Sequence, residues 1–135
     1  MSMTVARKRV GVLISGRGSN MVSLAEAARA PDYPAEIALV VSNIPDVAGL
    51  ERARGFGIAT ATVDHRPFGK DREAFERAVD ELLRLNQIDI IALAGFMRIL
   101  TPEFVARWEG RMINIHPSLL PLFKGTHTHR QALEA

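Results

Sequence analysis

Val10-Gly11-Val12-Leu13-Ile14, followed by Ser15-Gly16-Arg17-Gly18-Ser19-Asn20, decides the fold. Five apolar residues in a row carry no polar alternation, so the segment reads as a strand covered on both faces. The glycine-rich hexapeptide then breaks the strand and leads into a helix predicted from Asn20 or Met21 to Arg29, stopped by Pro31. The same strand-then-helix pattern recurs along the chain. Ile37–Val41 reads as a second strand, and Asp46 as the cap of a helix running to about Arg54. Ile58–Val63 is a third strand. Asp71 opens a helix in which Phe75, Ala78, Val79, Leu82 and Leu83 recur at helical spacing. Ile88–Ala94 is a fourth strand, Pro102 starts a short helix through Trp108, and Met112–His116 is a fifth strand. A last helical segment opens at His127 or Thr128 and still runs at Ala135. Buried-type strands alternating with helices predict an α/β fold, doubly wound, with a mostly parallel open sheet and helices on both faces.

Composition narrows the function classes. The chain has 135 residues, enough for one domain. Its net charge is +2, with Lys and Arg interspersed among Asp and Glu, which argues against a nucleic-acid partner. Arg7-Lys8-Arg9 reads as a solvated N-terminal arm. Cysteine is absent, so disulfides are excluded. No apolar run has membrane-spanning length and no signal-peptide pattern opens the chain, so the expected location is cytoplasmic, with no membrane partner.

Ligands of open parallel sheets bind beyond the carboxyl ends of the strands. Three unusual segments fall there: the glycine turn, the loop Gly95-Phe96-Met97-Arg98-Ile99-Leu100, and the strand end Asn114-Ile115-His116-Pro117. Backbone N–H groups at a helix N-terminus suit a phosphate, and Gly16 and Gly18 permit close approach and positive φ. The turn is neither a Walker loop nor a dinucleotide fingerprint, and taken alone it reads equally well as a tight turn without a ligand. The apolar loop suits a flat heteroaromatic ligand or simple packing under the sheet edge. Asn114 and His116, two apart in a strand, project to one face, while Ile113 and Ile115 point to the other. An amide beside an imidazole suits carbonyl polarisation and proton movement, or a pair of hydrogen-bonded residues where a strand stops. His116, His127 and His129 raise a metal site as an alternative. No acidic or cysteine partner accompanies them at a typical spacing, so no metal is expected.

Taken together these residues resemble the phosphoribosylglycinamide formyltransferases, the folate-dependent transformylases of purine synthesis. The likeness runs from about Val10 to Glu134. It rests on Ile14–Asn20, Gly49-Leu50-Glu51-Arg52-Ala53, Leu93–Leu100, Asn114–Pro121 and Gly125–Leu133. The Asn114–Pro121 segment is shared more widely among formyl-tetrahydrofolate enzymes. The glycine turn and the His127–Leu133 ending favour this family over methionyl-tRNA formyltransferase or formyltetrahydrofolate deformylase.

Residue by residue, the resemblance implies that Gly18, Ser19 and Asn20 hold the phosphate of glycinamide ribonucleotide. Met97, Arg98, Ile99 and Leu100 grip the pterin of the co-substrate 10-formyltetrahydrofolate, and Arg72 meets its glutamate tail. Asn114 contributes to the folate site and forms the catalytic pair with His116. The partner is glycinamide ribonucleotide, and the assembly a monomer or homodimer. The family draws a further carboxylate from an Asp in a loop beyond the last helix, and no Asp in residues 1–135 matches it. The chain is therefore expected to be the N-terminal portion of a single formyltransferase domain, its C-terminal part absent, and to be inactive or weakly active by itself. Two rival readings are a formyltetrahydrofolate hydrolase, with water as nucleophile, and a phosphate-ligand binding fragment without turnover.

Overall fold

The computed structural model describes residues 7–98 and 100–115. Ile99, His116 and the segment 117–135 lie outside them, and with them the expected last helix. Five strands form one sheet: β1 (Lys8–Ile14), β2 (Ala35–Ser42), β3 (Ala59–Thr62), β4 (Ile90–Ala94) and β5 (Met112–Ile115). Their order is β3-β2-β1-β4-β5, and all four pairings are parallel. Four helices connect them: α1 (Ser19–Ala27), α2 (Ala48–Gly55), α3 (Arg72–Leu85) and α4 (Pro102–Arg107). The doubly wound architecture expected from the sequence is the one observed.

Alternation along each strand feeds two cores. Val10, Val12 and Ile14 of β1, Val40 of β2, Ala92 and Ala94 of β4 and Ile115 of β5 pack with Met21 and Ala25 of α1 and Leu50 and Ala53 of α2. Leu13, Leu39, Val41 and Ile91 face the other way, onto Phe75, Val79 and Leu83 of α3 and Phe104 of α4, with Trp108 just beyond it. Ile113 sides with Ile115 and Met112 with the opposite core, as the two-residue period requires. Gly11 sits where α3 comes closest. A Cβ there would lie 2.9 Å from Leu83 Cδ2.

Two expectations are corrected. The Arg7–Arg9 segment is not a solvated arm. Arg7 donates to the carbonyls of Ala28 and Ala35, both at 2.6 Å. Arg9 pairs with Glu36 at 2.9 Å and donates to Asn86 O at 3.0 Å. These arginines fasten the amino ends of the strands to the loops that enter them. Nor does Asp46 cap α2. Val47 is the N-cap with no side-chain bond, because Asp46 sits one residue earlier in the left-handed region at φ 59°. Smaller shifts occur at α1, which starts at Ser19 and ends at Ala27, and at β4, which starts at Ile90.

α4 is held to α3 by two buried carboxylates one helical turn apart. Glu76 accepts from Thr101 N at 2.6 Å and from Thr101 Oγ1 at 2.5 Å, while Thr101 Oγ1 accepts from Phe104 N and caps α4. Asp80 accepts from Trp108 Nε1 at 2.9 Å at the other end of α4, and from Arg84 at 2.6 Å. Since β5 follows α4 directly, this clamp fixes how the fifth strand enters the sheet.

Glu76→Ala strands two donors of Thr101, and each unsatisfied buried donor costs about 1–3 kcal/mol. Its urea midpoint is expected to fall accordingly, with the slope unchanged. Gly49→Ala is expected to cost about 1–3 kcal/mol by overpacking. Its Cβ would sit 2.5 Å from Ile14 Cδ1 and 2.7 Å from Gly16 O. The same denaturation measurement checks it.

Candidate active site

The strand order reverses around β1. β2 and β3 lie to one side with α1 and α2 on one face, and β4 and β5 lie to the other with α3 and α4 on the opposite face. Right-handed crossovers force that change of face, and they leave a crevice where the carboxyl ends of β1 and β4 meet. A cleft of about 430 Å³ opens there, lined by Ser15, Gly16, Arg17, Gly18, Ser19, Asn20, Ala94, Gly95 and Met97. Hollows of similar size along α3 (Arg77 to Leu85) and beside Arg29, Arg52 and Phe56 lie away from this crevice.

The glycine turn is built by two glycines face to face. Gly18 has φ 74°, and a Cβ on it would lie 2.9 Å from Gly49 Cα. Gly49 N donates to Gly16 O at 2.9 Å, which presses the start of α2 against the turn. Gly16, expected to share the positive φ, does not adopt it. Gly18 is the N-cap of α1 and supplies no side chain to its first N–H groups. The first helical bond is Val22 N to Gly18 O at 2.8 Å, so the amides of Ser19, Asn20 and Met21 have no acceptor among the described residues. No acidic residue occupies that first turn. Free donors and the positive end of the helix dipole therefore face the cleft without a competing carboxylate.

The β4 loop faces the glycine turn directly. Met97 N donates to Ser15 Oγ at 2.8 Å, tying the loop to the end of β1. The Met97 side chain is 78% exposed at the cleft. Arg98 stacks its guanidinium over the Phe75 ring at 5.8 Å, which brings the loop to the first turn of α3, where Arg72 lies exposed. Leu100 packs against the α3–α4 core. Arg72 does not line the cleft.

Asn114 is half-buried in β5, in register with Leu93. Asn20 Nδ2 reaches toward Ile115 O at 3.5 Å, long for a hydrogen bond but close enough to set the start of α1 beside the end of β5. His116 and Ile99 fall outside the described residues, as do the weighed metal ligands His127 and His129. Among the described residues, no group of three or more His, Asp or Glu could hold a metal ion, and no helix is long and apolar enough to cross a membrane.

Sequence reasoning named Ser15 only as the start of the glycine turn and missed the polar residues it meets, Asn43 and His65. Ser15 and Asn43 are buried at 6% and 2% exposure. Ser15 Oγ donates to Asn43 Oδ1 at 2.5 Å, and the imidazole Nδ1 of His65 lies 3.2 Å from Asn43 Nδ2 and 3.0 Å from Asn43 O. Beside His65, side-chain and backbone hydrogen bonds from Arg66 hold the Asp64 carboxyl down from 3.8 to about 2. The available signal was positional: Ser15, Asn43 and His65 follow the carboxyl ends of three successive strands.

Comparison with known proteins agrees with this geometry. The formyl transferase family model matches residues 8–135. Phosphoribosylglycinamide formyltransferase of Escherichia coli K12 is 49% identical over 123 residues, covering 91% of this chain and 58% of that protein. The human trifunctional purine biosynthetic protein adenosine-3 is 51% identical over 128 residues, covering 95% of this chain and 13% of that protein. The crystal structure of phosphoribosylglycinamide formyltransferase from Brucella melitensis superposes with a TM-score of 0.79 at 50% identity, covering 96% of this chain and 67% of that one. The chain thus spans under two thirds of the length of these curated relatives. With the family match across residues 8–135 and the shared parallel sheet, this chain belongs to the formyl transferase family.

Proposed function

We propose that this chain carries the machinery for transferring a formyl group from 10-formyltetrahydrofolate to the amine of glycinamide ribonucleotide. One observation carries the reading: the glycine turn and the Met97 loop share a single cleft at the sheet's switch point. A phosphate anchor and an apolar slot so placed suit a substrate bearing a phosphate and a co-substrate bearing a flat ring. The names of the relatives support the same substrate class.

In this reading the amides of Gly18, Ser19 and Asn20 hold the phosphate. The backbone of Met97, Arg98, Ile99 and Leu100 edges the pterin. Arg72, on the same helical turn as the Phe75 ring beneath Arg98, meets the glutamate tail. The amine nitrogen attacks the formyl carbon, and the carbonyl electron pair moves onto oxygen. The Asn114 amide N–H and a protonated His116 stabilise that oxyanion. Collapse breaks the bond to the folate nitrogen, which takes a proton from His116, while the attacking amine gives one up to solvent. A cytoplasmic location and a monomer or homodimer belong to the same reading.

The test mixes the chain with 10-formyltetrahydrofolate and glycinamide ribonucleotide, and follows both formylated product and free formate. By itself the chain is expected to transfer weakly or not at all; fused to the C-terminal segment of the E. coli relative it is expected to show transfer that requires the amine, with little formate released in its absence. Asn114→Ala is expected to lower kcat about 10²–10³-fold, the usual loss for one oxyanion donor, and His116→Ala at least as much. Formate release indifferent to the amine would point to hydrolysis. Binding of both ligands with no turnover, even after fusion to the C-terminal segment of the E. coli relative, would leave only a binding fragment.

A further inference from the structure

A run of hydrogen bonds leads from the Met97 loop through the buried Ser15 and Asn43 to His65. Met97 N donates to Ser15 Oγ at 2.8 Å, and Ser15 Oγ donates to Asn43 Oδ1 at 2.5 Å. Asn43 is anchored in turn from two sides: its N donates to Ile14 O at 3.3 Å, and its O accepts from His65 N at 3.3 Å. His65 Nδ1 closes the chain by either route. Without a proton it accepts from Asn43 Nδ2 at 3.2 Å, and with one it donates to Asn43 O at 3.0 Å. The ends of β1, β2 and β3 and the loop after β4 are thereby joined through one set of side-chain and backbone hydrogen bonds. A serine hydroxyl has one proton. With that O–H donated to Asn43 Oδ1, the hydroxyl oxygen can only accept on its other side, so the loop amide meets an acceptor whose direction is already fixed.

We propose that Ser15, Asn43 and His65 are positioning residues that set the Met97 backbone relative to the glycine turn, and so control the slot for the folate ring through the loop they hold. This rests on the folate reading of the Met97 loop given above. The relay gives the slot a reference independent of the phosphate anchor. Ser15 precedes the turn, and the amides of Ser19 to Met21 do not pass through it. Loss of the relay therefore loosens one ligand and spares the other.

Calorimetric titration of the full chain and its Ser15→Ala, Ser15→Thr and His65→Ala variants with tetrahydrofolate, and separately with inorganic phosphate, tests this alongside amide hydrogen exchange at Met97. Ser15→Ala is expected to raise Kd for tetrahydrofolate about tenfold, the worth of one hydrogen bond, with phosphate binding changed less than about twofold. Met97 exchange is expected to speed up about tenfold, and Ser15→Thr to stay within about threefold of the unsubstituted chain. His65→Ala, at a half-exposed corner, is expected to weaken tetrahydrofolate about threefold, and it serves as the test if Ser15→Ala does not fold. Unchanged folate binding with an equally protected Met97 amide would overturn the proposal. Equal loss of both ligands, or a Ser15→Thr chain as weak as Ser15→Ala, would also overturn it in favour of a merely structural role. If the unsubstituted chain binds no tetrahydrofolate, the folate reading fails by itself, and the relay stands or falls on the Met97 exchange rate.

Discussion

The handedness of the crossovers is the constraint from which the rest follows. Parallel neighbours cannot be joined by a hairpin, and right-handed crossovers put successive helices on one face as long as the sheet grows in one direction. Here growth runs from β1 to β3, then restarts on the other side of β1 with β4 and β5. The helices must change face at that point. No helix crosses over the carboxyl ends of both β1 and β4, and the crevice left between them is where the glycine turn and the Met97 loop meet.

A crevice of this kind recognises a ligand only if its walls are stiff, and the walls are stiffened by different means. On the β1 side the device is steric: Gly18 and Gly49 allow two backbones to approach to a distance that no side chain tolerates. On the β4 side it is polar, through the buried Ser15 hydroxyl and the Asn43 amide. Below β5 it is a pair of carboxylates, Glu76 and Asp80, each satisfied at opposite ends of α4. Each of these groups is buried, so each is held in one arrangement by the cost of leaving a polar group unpaired or an atom overlapped.

Much of this was legible in the chain. The apolar runs Val10–Ile14 and Ile90–Ala94 are short enough to read as strands covered on both faces, and their alternation with helical spacing points to the α/β class. Asp71 read correctly as a cap, since a carboxylate before a helical run has a donor waiting at Ala74 N, 3.0 Å away. Asp46 misled because the same residue type also tolerates the left-handed conformation, and local sequence does not say which use prevails. The arginines near the start misled because their carbonyl partners lie far along the chain, 21 and 28 residues away for Arg7 and 77 for Arg9.

The sequence by itself determined which segments would be strands, where the glycine turn would fall, and that Asn114 would oppose Ile113 and Ile115, because these depend on periods of two and 3.6 and on the backbone freedom of glycine. Only the tertiary structure decided that Gly49 would be the surface against which the turn closes, and that Ser15, Asn43, His65 and Met97 would share one run of hydrogen bonds. Those contacts link residues as many as 82 positions apart. Their partners are chosen by strand order and register, and a buried polar side chain takes whichever partner packing brings within reach.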